Sequence, residues 1–409
     1  MTRTPTTVVI GAGMAGLACA RTLRERNHDV VVLEATDRVG GRLGSTKIDG
    51  QWCDLGFQVS MSNYRDLESL VPRRTVARHP FIPGAMIWTG RSHVRLLDPR
   101  RAPLSALHSF LSGIVGLGDL RGATRCRRWA SRTVAEPRVG TANDILREAG
   151  FSQRFQQTFL RPFFGGVFLD ETLDVSADRF LRTLHRFATG HAELPEGGMQ
   201  QLAEGMAAPI RADIQFDRAV ASIHPGEGVD CTNGDRIEAD HIVIATEFDQ
   251  AMRLLDPQIA PPTRQWRSTI ACHFSAPEPV MHQPLIALNG SGQGRINLVC
   301  SPSSVAPGYR TDGRHSIIVS LKPFAGNAPT VDTAAIAEEA GTVLGLDTSS
   351  WSWTTNTIIS KGLPDPTAIN PRPSPPAGVW IAGDWTGDPS IETAVHSGLT
   401  TARLITATG

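Results

Sequence analysis

Residues 8–44 read VVIGAGMAGLACARTLRERNHDVVVLEATDRVGGRLG, and the fold follows from how that stretch divides. The apolar run Val8, Val9, Ile10 leads into Gly11, Gly13 and Gly16, the spacing of a strand that turns tightly and enters a helix beneath a pyrophosphate. The first glycine permits the turn, the second lets backbone approach phosphate, and the third lets the helix pack closely on the sheet. Ala15, Ala18, Cys19 and Thr22 form a small-residue face at helical spacing, while Arg21, Arg24, Glu25 and His28 fall on the opposite, solvated face. A second β-branched run, Val30 to Leu33, then delivers Glu34 where an acid accepts hydrogen bonds from ribose hydroxyls and repels a 2′-phosphate. Strand, helix, strand and acid in register predict a dinucleotide clamp.

Gly40, Gly41 and Arg42 follow directly. With Glu34, Ala35 and Arg38 they resemble the E-A-x-x-R-x-G-G-R signature of the flavin-containing amine oxidoreductase superfamily, which includes monoamine and polyamine oxidases, protoporphyrinogen oxidases and phytoene-desaturase-like enzymes. The resemblance implies FAD. It also implies an α/β fold in which a Rossmann-type FAD-binding domain carries an inserted α+β substrate domain. The expected division is 1–75, 192–250 and 365–409 for the FAD-binding domain, and 76–191 with 251–364 for the substrate domain. In physical terms Gly41 again brings backbone close to the diphosphate, and Arg42 adds a guanidinium able to neutralise it. By resemblance Gly56 and Phe57, in the run Asp54 to Gln58, pass beside the flavin, and the backbone of Val220 contacts adenine. Residues 194–199, LPEGGM, resemble the passage where the superfamily re-enters its FAD domain. The stretch 378–400, GVWIAGDWTGDPSIETAVHSGLT, resembles its closing segment. There Gly383 and Asp384 turn toward the nucleotide, and Ile391 and Ala394 begin a helix whose N-terminus can face an anionic or carbonyl end of flavin.

The bulk numbers agree with a two-domain globular protein and argue against other classes. The chain has 409 residues, 41% hydrophobic and 20% charged, the composition of a globular protein. Forty basic residues balance forty acidic ones, so no general attraction to nucleic acid is expected. Only Lys47, Lys322 and Lys361 are lysines. The six cysteines include no CxxC pair and no cluster at metal-ligand spacing, so the reading is free thiols in a reducing compartment and no metal. The early first strand leaves no room for a leader, and no run of about 18 apolar residues occurs, so a cytoplasmic protein is expected.

Between Arg91 and Arg138 lie ten arginines and three acidic residues. Inside that region Leu104 to Leu117 reads either as a helix lining an apolar cavity or as a peripheral, monotopic membrane-docking helix. Thr141 to Ala149 reads as a helix capped by Thr141 or Asn143 and stopped by Gly150. Phe151, Phe155, Phe159 and residues 161–168, RPFFGGVF, make the most aromatic part of the chain, divided in this reading between core and cavity wall. Further on, Asn233-Gly234 marks a hairpin, 241–246 a buried strand, and Thr333 to Leu344 a helix among strand runs.

The flavin of such an enzyme accepts hydride, so an acid or base is optional, and none is assigned. His185, His273 and His396 read as packing or surface residues. Amine oxidases of the superfamily carry a lysine in the substrate domain and an aromatic cage around the amine. No lysine lies between Lys47 and Lys322, Ser390 stands at the cage position, and only Tyr64 and Tyr309 are tyrosines. Trp385 and Trp266 remain as an alternative cage. The favoured expectation is an FAD-dependent oxidoreductase removing hydride from an apolar or polycyclic small molecule. An amine or amino-acid oxidase, or a non-catalytic carrier of a hydrophobic ligand, are the alternatives. Oligomeric state is not legible.

Overall fold

The computed structural model describes residues 5–98, 113–256, 265–365 and 374–408. The strand Thr6–Ile10 lies at the centre of a five-stranded parallel sheet. Across that sheet the order is Ile214–Gln215, Asp29–Leu33, Thr6–Ile10, His241–Ile244 and Val379–Ile381. Val8, Val9 and Ile10 pair with Val31, Val32 and Leu33 on one side and with Ile242, Val243 and Ile244 on the other. These runs are apolar throughout because both faces of the sheet are covered. The helix Met14–Arg24 buries Ala15, Ala18, Cys19 and Thr22, and this small-residue face lies close against the helix Ile391–Thr408. A Cβ on Gly398 would lie 2.2 Å from the Ala15 carbonyl oxygen and 2.9 Å from the Cys19 nitrogen, so only glycine lets the two helix backbones meet.

The Asn233-Gly234 turn connects Gly228–Cys231 to Arg236–Glu238 in a three-stranded antiparallel sheet with Val220–His224, and Gly234 takes the left-handed conformation at φ +91°. A second large sheet has seven strands. Its order is Ser352–Pro364, Trp266–Ala276, His315–Leu321, Ile296–Cys300, Ile286–Asn289, Gly84–Trp88 and His93–Leu97. All its pairs are antiparallel except Ile286–Asn289 with Gly84–Trp88, which joins two distant chain segments. Helix Thr333–Leu344 packs on this sheet.

A helical group with its own apolar cluster is built from Leu117–Ala130, Ala142–Ala149, Gln153–Phe155, Arg161–Phe168 and Ala177–Thr189. Of the two candidate caps, Thr141 is the one used: its Oγ accepts from the Asp144 N–H while Asp144 accepts from the Thr141 N–H, and Gly150 ends the helix at φ +78°. Between the two short helices of the aromatic segment, Gln156–Leu160 is a π turn in which the Arg161 N–H reaches back to the Gln156 carbonyl. Pro162 explains it. The ring removes the N–H that Thr158 would have bonded, and a shift of one register accommodates the loss. Most of the expected helix Leu104 to Leu117 lies outside the described residues. All six cysteines are buried and unpaired. No described helix is long and apolar enough to cross a membrane.

Candidate cofactor and substrate site

The three glycines of the first turn differ in what requires them. Gly11 sits at φ +104°, and a Cβ there would lie 2.9 Å from the Ala245 carbonyl oxygen. On Gly16 a Cβ would overlap the Gly11 carbonyl oxygen at 1.9 Å, so the helix can rest on the strand only without a side chain. Gly13 is different: a Cβ on it meets nothing within 4 Å. The protein itself does not require glycine at 13, so the open space before the helix N-terminus fits a ligand that comes close to backbone. A Cβ on Gly41, which takes φ +56°, would lie 3.6 Å from the Gly13 Cα, so the two glycines adjoin, and the Gly40 N–H donates to the Ala12 carbonyl at 2.9 Å. The two glycine turns therefore form one cradle with room for a diphosphate.

Glu34 is buried at the end of its strand. Its Oε2 accepts from the Ala12 N–H at 2.8 Å, and its Oε1 accepts from the Thr36 N–H and hydroxyl at 2.9 and 2.8 Å. Three donors fix the carboxylate and leave acceptor capacity on Oε2 for a ribose hydroxyl. Ala35 lies between Glu34 and Thr36 in this turn. The Arg218 N–H donates to the Glu34 carbonyl, which brings the chain entering Val220 alongside. Arg42 does not stand free. Its guanidinium bonds Asp384 Oδ1 at 2.5 Å, tying the second glycine turn to the Gly383-Asp384 turn near the other end of the chain. Gln58 Nε2 donates to the Arg42 carbonyl at 3.0 Å and to the Leu55 carbonyl at 2.8 Å, so Gly56 and Phe57 are held to the same point. Gly56 takes φ +87° against the Ile359 side chain, and Phe57 meets Phe81 edge-on.

The closing segment contains two caps that the sequence did not disclose. Ser390 Oγ accepts from the Thr393 N–H at 3.1 Å and starts the helix bearing Ile391 and Ala394. Glu392 accepts from the Asp66 and Leu67 N–H groups, both at 3.1 Å, capping the helix Arg65–Leu70. An acid-amide spacing of this length across the chain leaves no local signal.

Both tryptophans of the alternative cage already have partners within the chain. The Trp266 ring has Arg42 at 6.0 Å and Lys361 at 5.7 Å from its centroid, and Lys361 in turn bonds Glu247 at 2.9 Å and Asp249 at 3.3 Å. Trp385 is buried, with Nε1 donating to the Thr246 carbonyl and its ring against Phe248. The aromatic segment forms a ladder, Phe151, Phe155, Phe159 and Phe163, with successive centroids 5.5 to 5.7 Å apart. Phe155, Phe164, Phe168 and Phe180 are core, Phe164 being 2% exposed. Phe159, Phe163 and Phe187 are only half-buried, and together with Phe57, Val59 and Ile359 they pack on the same core as the glycine loop. Gly165 and Phe164 are buried in the helical group, whereas Phe159 and Phe163 are half-buried.

Beneath this lies a buried polar knot. Asp54 accepts from Ser45 Oγ, the Met199 N–H and Tyr309 OH at 2.6, 2.9 and 2.6 Å, and burial raises its pKa in spite of them. His273 Nε2 lies 3.1 Å from the Asp54 carbonyl oxygen, and burial pulls the ring down to about 4. His396 is a surface residue beside Asp66. Among the described residues no group of His, Cys, Asp and Glu can hold a metal.

The sequence profile of flavin containing amine oxidoreductases matches residues 14–406. The carotenoid phi-ring synthase of Streptomyces griseus is 27% identical over 387 residues, covering 82% of this chain and 72% of that one. The putrescine oxidase of Kocuria rosea is 48% identical over 262 residues, 54% of this chain and 50% of that one. Among solved structures, an oxidoreductase from Methanosarcina mazei superposes with a TM-score of 0.76 at 17% identity, covering 97% of this chain and 100% of the other.

Proposed function

We propose that this chain, which belongs to the flavin-containing amine oxidoreductase family and is an FAD-dependent oxidoreductase, removes hydride from an apolar or polycyclic small molecule. When bound, FAD supplies the two-electron acceptor for that hydride. The residues suited to hold it are the two glycine turns for the diphosphate, Glu34 for a ribose, Val220 for adenine, and Gly56, Phe57 and the start of Ile391–Thr408 near the flavin. The observation that carries the substrate class is the run of half-buried rings in mutual contact, Phe159 on Phe163 and Phe163 on Phe187, which we take as an apolar wall. Such rings bury apolar surface at roughly 25 cal/mol per Å². Trp266 and Trp385, the rings that could clamp an amine, are already engaged. The wall excludes water and orients the substrate, which leaves proton handling to solvent or substrate.

Anaerobic flavin reduction tests this. Polyene, isoprenoid or tetrapyrrole-like compounds should bleach or shift the flavin spectrum, while putrescine and simple amines should leave it unchanged. Reduction by an amine at about 1 to 10 per second, ordinary for enzymes, would instead establish the amine oxidase reading. We further propose peripheral membrane contact through the segment Leu104 to Leu117, at whose end Leu117, followed by Leu120 of the helix Leu117–Ala130, is exposed beside Arg121. Co-sedimentation with anionic but not neutral vesicles is the expected result.

A further inference from the structure

Helix Ala177–Thr189 carries three arginines, and they are not alike. Arg182 is exposed and ion-paired with Asp178 and Asp388. Arg179 and Arg186 are half-buried, and among the described residues no ion pair or hydrogen bond reaches either guanidinium. Each rests on an aromatic ring instead, Arg179 at 5.4 Å from the Phe168 centroid and Arg186 at 5.0 Å from that of Tyr64. Seven residues apart, they occupy one helix face about 10 Å from each other along the axis.

Three carboxylates lie near Arg179, and every one has other partners. Asp384 holds Arg42 at 2.5 Å. Asp388 faces Arg182 at 3.5 Å. Asp170 accepts from the Thr172, Asp174 and Val175 N–H groups of its own turn. A guanidinium stays protonated however it is placed, so Arg179 remains a cation that feels these carboxylates but makes no direct ion pair with any of them, in a partly desolvated space. Its place matters. Asp384 belongs to the cofactor turn, and Phe187, next to Arg186, packs edge-on against Phe163 of the apolar wall at 5.1 Å.

We propose that Arg179, with Arg186 as a second arm, receives the anionic end of the substrate, which is therefore an apolar body bearing at least one carboxylate. This rests on the apolar reading of the same site. A carboxylate matches the planar fork of a guanidinium, and water does so poorly once the apolar body has filled the wall.

The test uses the FAD-loaded enzyme with 4-(pyren-1-yl)butyrate and its methyl ester, binding being followed as quenching of pyrene fluorescence by flavin. The acid should bind about tenfold or more tightly than the ester. Arg179→Gln should remove that preference and leave the ester unchanged, and Arg179→Lys should restore part of it. Flavin content serves as the control for folding. If R179Q fails to hold flavin, the comparison of acid with ester on the parent enzyme still decides. Equal binding of acid and ester by the parent overturns the carboxylate proposal and leaves the apolar reading standing. Failure of both to bind overturns the two together.

Discussion

Glu34 shows how one carboxylate joins a local turn to a ligand. It is held by Ala12 and Thr36, so Glu34→Ala removes an acceptor for ribose and also frees a buried N–H. Charged hydrogen bonds of this kind contribute about 1.5 to 3 kcal/mol, so FAD affinity measured by titration of the apoprotein should fall about ten- to a hundredfold. Unchanged affinity would remove Glu34 from the site. His273 yields a second expectation at this scale. Its neutral ring donates to the Asp54 carbonyl, and its pKa falls from 6.5 to about 4 through burial. Below pH 6.5 the unfolded chain takes up a proton that the folded one refuses, so stability is lost as pH drops toward 4, by up to about 3 kcal/mol. His273→Gln should flatten that slope in urea unfolding compared at about pH 4.5 and about pH 7, and parallel slopes for parent and variant would show that the ring does not cause it. Residues such as Glu34 and Gly16 were legible because their meaning lies in spacing to near neighbours. Arg179 and Gln58 were not, since what distinguishes them is which distant groups do or do not reach them.

At the level of elements, the aromatic helix separates two roles that a sequence pattern merges. Phe164, Phe168 and Phe180 fill the helical core, whereas Phe159 and Phe163 are half-buried between that core and the one beneath the glycine loop. Phe164→Ala should cost about 3 to 5 kcal/mol of stability, the usual range for a buried ring. Phe163→Ala should cost less and weaken an apolar probe such as the pyrene ester, with flavin content unchanged. A thermal and binding comparison of the two variants checks both halves, and a Phe163→Ala variant that binds the ester as tightly as the parent would take that ring out of the wall. The strands around the glycine loop, the Asn233-Gly234 hairpin and the helices Ala142–Ala149 and Thr333–Leu344 were all readable from periodicity and caps. The π turn was not, because Pro162 reads as a break until tertiary packing keeps the helix going through it. Nor was the pairing of Gly84–Trp88 with Ile286–Asn289, which only long-range register decides.

Across the whole molecule, the contact between Met14–Arg24 and Ile391–Thr408 closes the cofactor body. Gly398→Val would drive a branched side chain into the Ala15 carbonyl, and the purified variant should lose bound flavin and unfold at lower denaturant; full yellow colour and a parental midpoint would show that the crossing tolerates a wider gap. The same topology has a consequence during synthesis. Thr6–Ile10 acquires its neighbour Asp29–Leu33 almost at once, but its other edge waits for His241–Ile244, and that strand in turn waits for Val379–Ile381. At ribosomal speed the first wait alone lasts about 10 to 50 seconds. For that time a valine-rich edge emerges from the tunnel with its hydrogen-bonding row open, the kind of unpaired edge that other chains can join until its own partner strand arrives.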